Sequence, residues 1–192
     1  MATEYERKFK ASPAILEQID RAFSGDRQVF SMETTYFDTP GGAMSARKFT
    51  LRTRLENGVS VCTLKTPAGA ARNEWEAECE DIRKAIPLFL EMGCPREVAA
   101  LAEEGLIPIC GAKFTRIAKT VTLEHGTVEL ALDQGCLLGG GREAPLCEVE
   151  VELKGGAEEV CDGFAAVLVM KFALQPEEKS KFRRALALYR GE

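Results

Sequence analysis

Charged residues recur at every second position along six separate stretches of this chain, and that period places them on one face of extended strands. Glu4, Glu6, Lys8 and Lys10 share a face opposite Tyr5, Arg7 and Phe9. Arg52 and Arg54 oppose Leu51, Thr53 and Leu55, while Thr63 and Lys65 alternate with Cys62 and Leu64. Glu74, Glu76, Glu78 and Glu80 lie opposite Trp75, Ala77 and Cys79. Glu129 and Asp133 oppose Val128, Leu130 and Leu132. Glu148, Glu150, Glu152 and Lys154 oppose Cys147, Val149, Val151 and Leu153.

An ordinary sheet with one wetted face would explain any one of these strands. It explains the set poorly, because the polar faces hold almost only Glu, Asp, Arg and Lys, with the signs segregated by strand. Like charges side by side repel unless something of opposite sign lies between them. Clustered carboxylates suit a hard divalent cation, and clustered guanidinium and ammonium groups suit phosphate oxygens. A metal–polyphosphate satisfies both demands inside a barrel whose charged faces point inward and whose apolar faces lie under helices.

Strands are expected near 3–10, 27–37, 47–56, 59–66, 72–80, 113–124, 127–137 and 145–154. Asn57-Gly58 joins two of them as a tight hairpin turn, where both central positions want positive φ. Helices are expected from the Ser12-Pro13 cap to Phe23, over 81–104 with a break at Gly93 and Pro95, and over 157–171 and 177–189. Eight strands joined mostly by short turns predict an α+β fold: an eight-stranded antiparallel barrel with a charged lumen, flanked by helices.

The length of 192 residues fits one domain spanning 1–192, and 45% hydrophobic residues supply a substantial core. A net charge of −5 argues against nucleic acid as a partner. Seven cysteines without a C-x-x-C pair read as reduced cytoplasmic thiols rather than a disulfide framework or a zinc site. The charged start MATEYERKFK is no signal peptide, and no apolar run approaches the ~20 residues of a membrane span. His125, the single histidine, nearly excludes histidine catalysis.

These residues resemble the CYTH superfamily, the triphosphate tunnel metalloenzymes. Glu4-Tyr5-Glu6-Arg7-Lys8 is similar to the family's E-x-E-x-K signature, and Tyr36-Phe37-Asp38-Thr39-Pro40 to its Y-[FY]-[DE]-T-P strand end. Leu51-Arg52-Thr53-Arg54 resembles L-R-x-R, and Leu64-Lys65 with Pro67 resembles L-K-x-P. Glu76-Ala77-Glu78, Thr115-Arg116, Leu132-Asp133, Glu150-Val151-Glu152-Leu153 and Ser180-Lys181 resemble further motifs in the family's order.

The resemblance implies that Glu4, Glu6, Asp133, Glu150 and Glu152 hold Mg²⁺ or Mn²⁺. It implies that Lys8, Arg52, Arg54, Lys65, Arg116 and Lys181 grip a small-molecule triphosphate, with Lys8, Arg54 and Lys65 nearest the chemistry. Glu76, Glu78 and Glu148 would support these groups from behind. The whole run looks most like the bacterial inorganic triphosphatases, so hydrolysis of inorganic tripolyphosphate is expected. A class IV adenylate cyclase and a thiamine triphosphatase are the alternatives, and a non-catalytic polyphosphate-binding module is a third. A cytoplasmic enzyme without membrane attachment is expected, with room for a homodimer.

Overall fold

The structure, a computed structural model, describes residues 5–68 and 71–192. Its first half contains β1 (Glu6–Lys10), α1 (Pro13–Ala22), β2 (Asp26–Asp38), α2 (Ala43–Ala46), β3 (Thr50–Glu56), β4 (Val59–Ala68) and β5 (Ala71–Glu78). Then come α3 (Ile82–Glu91), α4 (Glu97–Glu103), β6 (Ile107–Leu123), β7 (Gly126–Gly139) and β8 (Arg142–Gly156). The chain ends with α5 (Glu158–Phe172), β9 (Gln175–Pro176) and α6 (Lys181–Arg190).

All strands join one antiparallel sheet in the order β5-β4-β3-β2-β6-β7-β8-β1-β9. Eight long strands are as expected, and a two-residue ninth lies against β1. Among the described residues no hydrogen-bonded ladder joins β5 to β1 or β9, so the barrel is open along one backbone seam. Side chains span that seam: Glu6 and Lys8 of β1 bound the same cavity as Lys65 of β4 and Arg72 of β5.

The local signals act as expected. Asn57 and Gly58 turn the β3–β4 hairpin at φ 48° and 92°. The Asn57 side chain also accepts from the Ser31 amide at 2.8 Å, which ties the turn to β2. Ser12 caps α1 by accepting from the Ile15 amide at 3.3 Å, with proline following it. Asp38 does similar work for α2, accepting from the amides of Met44 at 2.8 Å and Ser45 at 3.1 Å.

The outer faces are apolar and covered. Leu51, Cys62, Leu64, Trp75 and Ala77 lie under α2, α3 and α4 with Met44, Ile86 and Phe89. Phe9, Val128, Leu130, Leu132, Val149 and Val151 lie under α1 and α5 with Ile19, Phe164 and Leu168. Burying each such side chain contributes about 1.5–3 kcal/mol.

The inner face departs from the expectation. It is charged along most of its length, but at one end it turns apolar through Met32, Phe114, Leu137 and Leu146. Helix α6 closes that end, with Ala185 and Phe182 packed on this patch. Gly139 admits the helix: a Cβ there would lie 2.4 Å from the Ala185 carbonyl oxygen and 2.7 Å from the Tyr189 nitrogen. One helical element thus plugs the barrel and brings Lys181 and Arg184 into it. No helix among the described residues is long and apolar enough to cross a membrane.

Candidate active site

Two chambers occupy the lumen. One, of about 250 Å³, is bounded by Glu6, Lys8, Tyr36, Thr50, Arg52, Arg54, Lys65, Arg72, Arg116, Glu150 and Glu152, with residues from 178 to 183 of the α6 approach. The other, of about 700 Å³, has Glu56, Glu74, Glu76, Glu129 and Lys154 on its walls beside Phe30 and Met32. Arg52, Arg54, Arg116 and Glu152 bound both, so they form the waist between the chambers.

Beneath the first chamber lies a closed ion-pair cluster. Asp133, on β7, is fully buried and accepts from Arg116 Nε and Nη2 at 2.7 Å each. Lys181 reaches Asp133 at 2.8 Å and Glu150 at 2.7 Å, and also bonds Glu148. Glu148 is fully buried as well, and Arg184, one turn further along α6, takes its second oxygen. Arg116 closes the ring onto Glu150.

The protonation states follow from this pairing. Burial opposes the Lys181 charge, but Glu150, Asp133 and Glu148 together hold its ammonium well above the usual lysine range. Burial likewise opposes ionisation of Glu150, yet Lys181 and Arg116 hold its carboxyl well below the usual carboxylate range. Burial lifts Glu148 to about 7 against the pull of Lys181. Arg116 stays firmly charged, since Glu150 and Asp133 outweigh its burial.

Arg52 and Arg54 are in the opposite condition. Their Nε atoms are buried and make no hydrogen bond among the described residues. Among the described residues Arg54 has one loose carboxylate neighbour, Glu56 at 3.4 Å. Burial, and then repulsion from Arg52 and Arg116, push the Arg54 guanidinium below its ordinary range. A desolvated guanidinium that the fold itself does not neutralise is a strong binding locus for an anion.

A metal has a fitting donor set nearby. Glu6 stands directly opposite Glu152 across β1 and β8, and Glu152 stands opposite Glu129 across β8 and β7. Three carboxylates in one cross-strand row repel, and lysine ammoniums relieve them in part: Lys8 to Glu6 at 3.2 Å and Lys154 to Glu152 at 2.7 Å. An all-oxygen set of this kind suits Mg²⁺ or Mn²⁺. Oxygens of Asp133, Glu148 and Glu150 also lie within 4.8 Å of one another. Lys181 and Arg116 pair with the same carboxylates, so Asp133 and Glu150 clamp these two cations and also belong to a group of metal-fitting oxygens.

The structure therefore brings together Glu6, Lys8, Arg52, Arg54, Lys65, Arg116, Glu150, Glu152 and Lys181 on one chamber, with Asp133 and Glu148 directly beneath. Lys65 pairs with Glu74 at 3.0 Å. Glu76 faces the second chamber and accepts from Thr63 Oγ1 at 3.1 Å. Glu78 is exposed at the far end of β5, opposite Val61, and bounds neither chamber. Glu4 lies outside the described residues. Arg72 and Arg183 also border the first chamber and Arg184 reaches the cluster beneath it, and none of the three was expected there. Arg184 left a trace in the sequence, three residues beyond Lys181 on the same helix face, and Glu129, on the second chamber, lies on the charged face its strand alternation gives.

Comparison with known proteins finds relatives of this chain and of its fold. The chain is 27% identical over 195 residues to an inorganic triphosphatase of Haemophilus influenzae, covering 98% of this chain and 55% of that protein. It thus spans about half the length of the curated relative it matches. A Hippeastrum protein named as an adenylyl cyclase, with a dominant triphosphatase activity, superposes with a TM-score of 0.64 at 18% identity, covering 100% of this chain and 96% of that one. The PH1819 protein of Pyrococcus horikoshii superposes with a TM-score of 0.62 at 22% identity, covering 97% and 99%. The family description "CYTH domain" matches residues 2–186, and the chain belongs to that family.

Proposed function

We propose that the chain is a metal-dependent triphosphatase, with inorganic tripolyphosphate as substrate. The observation that carries this reading is the pair of buried guanidiniums, Arg52 and Arg54, whose Nε atoms no described residue satisfies. An anion with several negative oxygens on a short flexible chain would meet both from one wall. The Haemophilus influenzae relative, an inorganic triphosphatase by name, supports the same reading.

In this reading Arg52, Arg54 and Lys65 bind the phosphate chain from β3 and β4, while Lys8, Arg116 and Lys181 bind it from the other wall. Thr50 and Ser180, which also bound the chamber, add hydroxyl donors. Glu6, Asp133, Glu150 and Glu152, with Glu4, would hold Mg²⁺ or Mn²⁺, and Glu129 completes the row. Bound there, the metal would neutralise phosphate charge and lower the pKa of the attacking water.

A water oxygen bonds to the terminal phosphorus as the bridging oxygen leaves with pyrophosphate, and a lumen carboxylate takes the water's proton. Arg54 and Lys65 stabilise the charge that grows on the departing oxygen. No covalent nucleophile is required. Seven cysteines without a C-x-x-C pair support a cytoplasmic setting for this chemistry.

Product identification tests the reading. The purified protein is incubated with Mg²⁺ or Mn²⁺ and tripolyphosphate, ATP or thiamine triphosphate, and phosphorus NMR follows the products. Orthophosphate and pyrophosphate from tripolyphosphate are expected. Cyclic nucleotide from ATP, with tripolyphosphate left intact, would make the chain a cyclase instead.

A further inference from the structure

The two chambers differ in charge. Eight basic and four acidic side chains bound the first, whereas four basic and five acidic side chains bound the second. Four of the eight cations of the first chamber have close carboxylates of their own. Arg116 and Lys181 belong to the cluster around Asp133, Lys8 pairs with Glu6, and Lys65 pairs with Glu74.

Arg72 and Arg183 are different. Arg72 comes from the start of β5, opposite Pro67, and Arg183 from the first turn of α6. Both are exposed and both bound the first chamber, one from the sheet and one from the helix that closes it. Neither has a carboxylate within 4.0 Å among the described residues, and neither guanidinium makes a hydrogen bond within that set. Long cationic side chains that border a chamber, stand exposed to solvent and serve no structural pair among the described residues extend its basic lining outward. At the far side Glu56, Glu74, Glu76 and Glu129 make the second chamber repulsive to a polyanion, so a phosphate chain would not thread through it.

We infer that Arg72 and Arg183 form an outer subsite for phosphate groups beyond the third, so that the chain binds linear polyphosphates by one end. The terminal three phosphates lie on Arg52, Arg54 and the lysines, and the rest of the polymer leaves through the basic mouth. This rests on the reading of the lumen as a triphosphate site.

Binding without turnover tests it. Calorimetry in metal-free buffer with excess chelator compares tripolyphosphate, tetrapolyphosphate and a longer linear polyphosphate on the wild-type chain and on the Arg72→Ala/Arg183→Ala double variant. Wild-type affinity should rise about tenfold from tripolyphosphate to the longer chains, the size of one charge-assisted contact. In the double variant that rise should vanish while tripolyphosphate affinity stays within about threefold of wild type. Both positions are exposed, so the variant keeps its fold, checked by circular dichroism. Wild-type affinity that is independent of chain length, or a rise that survives in the double variant, would overturn the subsite and leave the triphosphate reading standing. Failure of tripolyphosphate itself to bind, with chelator and with Mg²⁺ alike, would overturn both.

Discussion

Arg54 and Arg116 repel each other inside one lumen, and only Arg116 is neutralised, by the paired bonds of Asp133 and by Glu150. The difference separates structural from functional charge. Carboxylates fasten Arg116 to the barrel wall, so its guanidinium is already oriented when an anion arrives. Arg54 keeps a charge that its surroundings disfavour, and in the proposed function that charge is the one an anion meets.

The clamp on Arg116 and Lys181 should be costly to break. Asp133→Ala leaves two nearly buried cations short of a partner, and losing one member of such a pair costs about 3–5 kcal/mol. Urea denaturation should show the midpoint falling with an unchanged slope. A loss below about 1 kcal/mol would mean that the cluster rearranges freely.

The α6 plug depends on a bare backbone at Gly139. In Gly139→Ala the new methyl meets the Ala185 carbonyl and the Tyr189 nitrogen, both backbone atoms that cannot rotate away. Overpacking of this kind costs about 1–3 kcal/mol. The thermal midpoint should drop by roughly 2–4 °C for each kcal/mol. Tripolyphosphate affinity should weaken with it, since Lys181 rides on the displaced helix.

Burial makes several thiols inert. It pushes Cys62 and Cys110 up to about 12 and Cys161 to about 11. At pH 8 their thiolate fraction is negligible, and alkylation by iodoacetamide should spare all three until denaturant is added. Rapid native labelling of Cys62, which is fully buried in the core under α3, would contradict the packing of that face.

The carboxylate row should bind metal directly. Titration with Mn²⁺, followed by electron paramagnetic resonance, should show a site that Glu6→Gln or Glu152→Gln weakens at least roughly tenfold, the usual scale for losing a ligand or its support. Excess chelator should abolish turnover. Undiminished turnover in chelator would remove the metal from the reaction.

Much of this was legible because strands write their two faces into alternate residues. The register puts Arg52 and Arg54 on one wall and Glu150 and Glu152 on another, as the alternation requires. Other parts were hidden for physical reasons. β6 begins at Ile107 rather than 113, because Pro108 and Gly111 weaken the strand signal there. Gly111 is needed, since a Cβ would lie 2.5 Å from the Thr34 carbonyl oxygen. The apolar end of the lumen was hidden because Phe114, Leu137 and Leu146 read as ordinary core until α6 is seen to fill the barrel. Glu129 stood in plain view on its strand. Only the pairing of β7 with β8 reveals that it continues the row of Glu6 and Glu152.

Arg54→Ala offers the most direct test, as kcat/KM for phosphate release from tripolyphosphate with Mg²⁺, alongside the unfolding midpoint of the same variant. Loss of one charge-assisted contact to the transition state should lower kcat/KM by roughly ten- to several-hundredfold, with kcat falling more than KM rises. Stability should hold or rise, because an unneutralised buried charge has been removed. A folded Arg54→Ala protein with wild-type kcat/KM would contradict the placement of the triphosphate in this lumen.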